Sequence, residues 1–286
     1  MTMRLLTRPL ALALQTAGRV YVPGWHLADA LVHAQALAGQ GFACTLGYFS
    51  SAQDTPLAVA SECAAIVDAV ASLQPPGYLS IKAPALGFDM QPVAPVLAMA
   101  RERGLLVHFD SHDIGSAEPT LRCVEQAAAQ GVATGLTLPA RWQRSQDDLQ
   151  RCLALGVRPR LVKGEWPDPQ APRADAGAGL MALVEGCVAG GAAEAAVATH
   201  DPALARAALR RLLDAGVRCE LELLHGMPRH AQLAVAAELG VPVRFYIPYG
   251  IAWRPYALRK AGENPRILWW LLRDALAGAW RRRAGR

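Results

Sequence analysis

Near the C-terminus, Tyr256, Arg259 and Lys260 stand at helical spacing, within about one turn, in the run RFYIPYGIAWRPYALRK at 244–260. Two adjacent cations beside a phenol suit a small carboxylate. Further chemistry-bearing side chains recur at the C-terminal ends of short apolar runs: Lys82, Asp110, Arg160 with Lys163, His200, His225 and Tyr246. Each has an ordinary structural use, since a strand-end lysine or arginine commonly sits in a salt bridge and a lone histidine is commonly just hydrogen bonded. Taken together they read as four cations against few acids. Like charges gathered in one place repel unless an anionic or electron-rich ligand joins them, so a carboxylate or phosphate ligand is expected.

The elements that must position these groups are legible as alternation. Eight runs rich in apolar and β-branched residues lie at 42–49, 78–83, 105–110, 134–139, 158–164, 194–200, 219–226 and 243–250. Ala-rich segments of helical spacing separate them; PALARAALRRLLDAG at 202–216 and HAQLAVAAELG at 230–240 both finish at a glycine, as helix C-termini often do. Eight strands alternating with helices predict an α/β fold, a (β/α)8 barrel, in which functional groups collect where the strands end. One domain over 1–286 is expected. The Pro-rich stretch at 167–179 reads as a loop after strand five, on the face where a lid would sit. GAGLMA, with Gly177, Gly179 and Ala182, matches a loose dinucleotide fingerprint but follows a loop instead of a strand.

Composition removes other classes. The chain is 52% hydrophobic and 19% charged, ample for a large core, and contains no apolar run long enough to span a bilayer. Six scattered cysteines without a CxxC pair fit reduced core thiols of a cytoplasmic protein and argue against a zinc ribbon. The basic, apolar N-terminus is interrupted by Pro9 and Gln15 and reads as a helix against the barrel instead of a signal peptide. Part of the +5 net charge gathers in a last helix that mixes Trp269, Trp270 and Trp280 with Arg273 and Arg281, which reads as a packed helix with a solvated basic end or as a peripheral contact with the inner membrane. No nucleic-acid partner is expected.

In order along the chain, LSIKAPAL, HFDSHD, RLVKGEW, VATHD, ELELLHGM and RFYIPYGIAWRPYALRKAGENP resemble the motifs of the flavin-dependent proline dehydrogenases, including the corresponding domain of bifunctional proline utilisation proteins. The resemblance spans roughly 20–275. It implies a distorted (β/α)8 barrel with extra N-terminal and C-terminal helices that binds FAD noncovalently at its mouth, oxidises L-proline or a close cyclic amino acid to 1-pyrroline-5-carboxylate, and passes electrons to a quinone or another acceptor. Under it, Asp110 and Arg160 are the catalytic residues, Asp110 near the lysine and Arg160 against the flavin edge. Lys82, Arg259 and Lys260 hold the substrate carboxylate, Glu263 orients the last two, Tyr246 and Tyr256 close the pocket and Leu224 lines it. Lys163, Gly164, Glu165, Thr199 and His200 contact the cofactor, and Ser111 and Pro139 fall at family positions that face it. No metal is implied, and no side chain acts as a nucleophile, because the flavin carries the hydride chemistry.

Several positions depart from the family pattern. Its paired arginines become Arg259 and Lys260, and an ammonium cannot reproduce a planar bidentate grip. The neutral small residue and aromatic after VKG become Glu165 and Trp166. Its flavin-bonding glutamine becomes Pro139, whose nitrogen cannot donate, and its acidic stretch becomes Ser111, His112 and Asp113. Two other readings follow from the residues: a barrel that binds flavin or an amino acid without catalysis or with an altered substrate, and a metal-dependent barrel hydrolase using His108, Asp110 and His112 at alternating positions with Lys163, His200 and His225.

Overall fold

Among the described residues the apolar runs alternate with helical segments, several of which begin at a capping side chain, and this local punctuation helps build the architecture. Thr55 caps one helix by accepting from the Ala58 amide with Pro56 in the first turn, and Asp201 caps another by accepting from Ala203 and Leu204 with Pro202 in the first turn. The computed structural model describes residues 24–251. Within them β1 (Ala43–Tyr48), β2 (Tyr78–Ile81), β3 (Val107–Phe109), β4 (Thr134–Pro139), β5 (Arg158–Val162), β6 (Glu194–Ala198), β7 (Arg218–Leu224) and β8 (Val243–Tyr249) close into a parallel barrel in sequence order, with β8 pairing β1. The helices are α1 (Leu27–Ala38), α2 (Pro56–Ala71), α3 (Ala94–Glu102), α4 (Ala117–Ala129), α5 (Ser145–Ala154), α6 (Ala176–Ala189), α7 (Pro202–Asp214) and α8 (His230–Leu239).

Because side chains alternate along a strand, each strand presents one set to the helices and one to the lumen. Leu46, Leu79, Val107, Val197, Leu221 and Phe245 belong to the apolar core between barrel and helices. The barrel expectation holds, with three differences of detail. The strands stop earlier than the apolar runs suggest, so Lys82, Asp110, Lys163, His200 and His225 stand one or two residues beyond them. The stretch at 167–179 is not an open loop: Asp168 is buried and bridges to Ala171, its carboxylate accepts from the Gln143 and Gln170 amides, and the GAGLMA run is the first turns of α6, capped by Asp175. Gly179 lies there because the Ala140 carbonyl occupies the space of a β-carbon.

All six cysteines are buried and unpaired. Among the described residues no helix is long and apolar enough to cross a membrane. The expected terminal helices, with Tyr256, Arg259, Lys260 and Glu263, lie outside the described residues.

Candidate active site

The lumen is polar, and it is organised in two layers. Arg158, Glu220, Glu222, Arg244 and Tyr78 come from β5, β7, β8 and β2; Arg244 is half-buried and the other four are buried. Arg158 pairs with Glu194 and Glu220 at 2.5 Å and with Glu222 at 3.3 Å, while Arg244 pairs with Glu220 at 2.7 Å and donates to the Cys44 carbonyl at 3.0 Å. The Tyr78 hydroxyl donates to Glu222, and the Arg244 guanidinium stacks 4.1 Å from the Tyr78 ring centroid. Several of these strands are not neighbours, so the contacts cross the lumen and fill it.

Toward the C-terminal mouth the second layer begins at Arg160. Its Nη1 donates to Asp110 Oδ1 at 2.9 Å, its Nη2 donates to the Tyr78 hydroxyl at 3.1 Å, and its Nε lies 2.7 Å from Glu222. Asp110 Oδ2 accepts from Lys82 Nζ at 3.1 Å and from the Tyr246 hydroxyl at 2.8 Å, and Lys82 also donates to that hydroxyl at 3.0 Å. The Tyr246 ring reaches this point by passing over β1 at Gly47, where an added β-carbon would fall 2.4 Å from its hydroxyl. Phe49, just past β1, completes the cluster with its ring centroid 3.6 Å from Lys82 Nζ.

Electrostatics follow from this arrangement. Burial pushes the Asp110 carboxyl up, but Lys82 and Arg160 outweigh it and hold it below the usual aspartate value. Burial pulls the Lys82 ammonium down against the opposing pull of Asp110. Burial, reinforced by Asp110, drives the Tyr246 phenol well above its ordinary value, so it stays a donor. At neutral pH the mouth therefore presents a charged Asp110 and a neutral Tyr246 hydroxyl beside the Arg160 guanidinium and the Lys82 amino group.

The residues expected at the cofactor cluster on the β5–β6 side. Lys163 Nζ, with its side chain 42% exposed, lies 3.3 Å from the Asp201 carboxylate, and the Thr199 hydroxyl accepts from the Asp201 amide, leaving its own hydrogen to donate. Gly164 adopts φ +84°, and a β-carbon there would meet Pro139 at 2.8 Å, so both backbone and neighbour require glycine. Pro139 ends β4 buried, its carbonyl accepting from the Ser145 hydroxyl and the Trp142 amide. His200 is saturated: Nδ1 donates to the Pro228 carbonyl at 3.1 Å while Nε2 accepts from the Leu224 amide at 3.0 Å, which fixes the neutral tautomer. Leu224 is in register with Tyr246. Ser111 follows Asp110, half-buried, and Glu165 and Trp166 occupy the loop after β5, where the Trp166 carbonyl accepts from the Trp142 indole. Arg160 bridges the two sides, from β5 to Asp110.

Below the mouth, Glu220 and Glu222 on β7 pair with the arginines of the lumen. One expectation is corrected. The alternating His108, Asp110 and His112 do not converge, because β3 ends at Phe109. His108 is fully buried and bonds the Thr137 hydroxyl at 2.8 Å, whereas His112 is exposed and pairs with Asp113. His225 packs against His33, 4.7 Å between ring centroids, and no cluster of three metal-ligating side chains exists among the described residues.

A (β/α)8 barrel with a carboxylate held between lysine, arginine and tyrosine at its mouth is thus the class defined by fold and site. No family model matches the chain. It is 28% identical to proline dehydrogenase of Deinococcus radiodurans over 288 residues, covering 90% of this chain and 89% of the other, and 25% identical to proline dehydrogenase 1 of Bacillus subtilis over 274 residues, covering 90% of each. In fold it is similar to proline utilization A of Bdellovibrio bacteriovorus, with a TM-score of 0.75 at 16% identity over 90% of this chain; the chain spans about a third of that protein, 33%. The chain is a divergent relative of the proline dehydrogenases.

Proposed function

We propose that the protein is an FAD-dependent oxidoreductase that oxidises L-proline, or a close cyclic amino acid, to 1-pyrroline-5-carboxylate. The observation that carries the reading is the Lys82, Asp110, Tyr246 and Arg160 cluster at the C-terminal mouth of the barrel, on a chain similar along nine-tenths of its length to proteins named proline dehydrogenase. Lys82 offers its ammonium to the substrate carboxylate. Asp110, fixed from both oxygens, orients Lys82 on one side and Arg160 on the other. Tyr246 donates to Asp110 and cannot ionise at neutral pH, so it holds the ammonium in place without adding charge.

The β5–β6 rim fits a flavin in its donor chemistry, with an ammonium at Lys163 and a free hydroxyl hydrogen at Thr199 just past adjacent strand ends and the guanidinium of Arg160 within β5. Arg160, Lys163, Gly164 and Thr199 would hold it, and when bound it accepts the hydride from the substrate carbon next to nitrogen. His200, with both ring nitrogens engaged, can meet it only through its ring face or C–H edge. Pro139 offers no N–H. An electron acceptor such as a quinone completes the turnover.

The test is the absorbance of the purified full chain. A flavin band that bleaches on adding L-proline anaerobically is the expected result. A protein that stays colourless after incubation with FAD and reduces no dye in the presence of proline overturns the reading.

A further inference from the structure

Lys82 has more partners than a waiting carboxylate ligand should have. An ammonium carries three N–H donors. One points to Asp110 Oδ2 at 3.1 Å and one to the Tyr246 hydroxyl at 3.0 Å. The face that remains is covered by the Phe49 ring, 3.6 Å from nitrogen to centroid, which is a close cation–π contact. Asp110 and Tyr246 are held in turn by Arg160 and by each other, so they form a fixed seat. Among the described residues, the ring is the partner of Lys82 that belongs to no hydrogen-bonded network around the ammonium.

The placement of Phe49 suits a movable part. Its backbone is pinned at the barrel rim, where its amide donates to the Tyr249 carbonyl at 2.8 Å. Its neighbour Tyr48 is tied to Asp54 at 2.8 Å and packs on the Tyr249 ring. The Phe49 side chain itself is only half-buried. Rotation about its side-chain torsions would take it off the ammonium while the strand end stays where it is. A charge-assisted hydrogen bond from ammonium to carboxylate is stronger than the ammonium's attraction to a phenyl face, whereas a neutral ligand or a water gains little by displacing the ring.

We propose that Phe49 is a displaceable cap that occupies the carboxylate position on Lys82, so that an anionic ring enters by pushing the phenyl aside and a neutral one does not. The cap makes Phe49 a specificity-determining residue. The inference rests on the reading that Lys82 receives the substrate carboxylate.

Calorimetric titration of the full chain with cyclopentanecarboxylate, an anionic five-membered ring with no oxidisable carbon–nitrogen bond, separates the two. Phe49→Leu keeps the apolar bulk and removes the ring face. It should tighten the Kd about 5- to 30-fold, the fold-change that corresponds to losing a competing, desolvated cation–π contact. Phe49→Trp, with a stronger ring face, should weaken it. The KM for L-proline should fall in Phe49→Leu while kcat changes less than about twofold. Lys82→Met should weaken binding at least about tenfold and erase the effect of Phe49→Leu. Unchanged or weaker binding in Phe49→Leu, with Lys82→Met still weak, overturns the cap and leaves the carboxylate reading standing. Binding unaffected by Lys82→Met overturns that reading and the cap with it. An independent check uses the unmutated protein labelled with 4-fluorophenylalanine, which has five labelled sites: the Phe49 fluorine signal should shift as cyclopentanecarboxylate saturates, and an unmoved signal overturns the cap.

Discussion

In the N-terminal half of the lumen Arg158 touches three carboxylates, and in the C-terminal half Lys82 touches one. Arg158 and Glu222 are 7% and 2% exposed in their side chains, whereas Lys82 remains 16% exposed and has a phenyl ring on its last face. Both clusters are buried arrays of charge a few ångströms apart, linked through Arg160. Burial opposes the charges of Arg158 and Arg160, and the carboxylates and Tyr78 around them more than compensate. The lower cluster is complete by itself, so nothing is gained there by a guest. The upper cluster leaves its weakest partner at the solvent side, where an anion improves on it. A buried charge array becomes a binding site where its own protein leaves one place poorly filled.

The sharpest way to break that comparison is to remove one charged side chain from each layer. Glu222 serves Arg158, Arg160 and Tyr78 together, and Glu222→Leu should lower unfolding stability by about 3–5 kcal/mol, the usual loss when buried charges are stripped of a partner. In Lys82→Met, Asp110 keeps Arg160 and Tyr246, so the stability loss should be about 1–2 kcal/mol while ligand binding suffers most. Urea unfolding of both variants beside ligand titrations checks this. Equal stability losses would mean that the two layers are one structural network.

Acid titration sharpens the contrast next. His108, among Arg160, Arg158, Arg244 and Lys82, is held well below 6.5, by burial first and then by those cations. His200 is lowered by burial, and His225 is lowered to about 4 by burial, with His33 and Arg229 adding to it. The unfolded chain takes up protons at these histidines below about 6.5 and the folded chain does not, so stability should fall as pH drops through that value, by about 1.4 kcal/mol per pH unit for each histidine. The lowered carboxyls Asp110 and Glu222 act in the same direction but only as pH approaches their ordinary values of 3.8 and 4.5. Urea midpoints between pH 7.5 and pH 5 should decline, and His225→Phe, which keeps a ring and does not titrate, should flatten the decline. A flat profile in the parent protein would refute buried neutral histidines.

The smallest effect belongs to the rim. On the proposed flavin reading Glu165, in the loop after β5, would place a carboxylate near the cofactor, where it disfavours developing negative charge. Glu165→Ala should raise proline turnover in a dye-reduction assay about two- to fivefold, as expected for removing a partly screened charge worth about 0.5–1 kcal/mol. Identical kinetics on proline and hydroxyproline for both proteins would place Glu165 outside the chemistry.

The sequence by itself determined the barrel and the identity of its mouth. Eight apolar runs alternating with Ala-rich helices, several of them capped, leave few other topologies, because local capping and side-chain period are properties of neighbouring residues. Lys82 and Asp110 were legible as polar residues at the ends of apolar runs, and Arg160 and Tyr246 as polar residues within them. What only the tertiary structure decided is which charges meet. Arg158, Glu220, Glu222 and Arg244 alternate with apolar residues inside their strands, a pattern that also describes a strand with one wet face. Only closure of the barrel turns that polar face into a sealed lumen and obliges β5, β7 and β8 to neutralise one another. In the same way Phe49 reads as one more apolar residue of the first run, and Gly47 as a weak point in it. Their roles, a ring on the Lys82 ammonium and the gap that admits Tyr246, depend on β1 lying between β2 and β8, a contact between residues about 30 to 200 positions apart that no local pattern encodes.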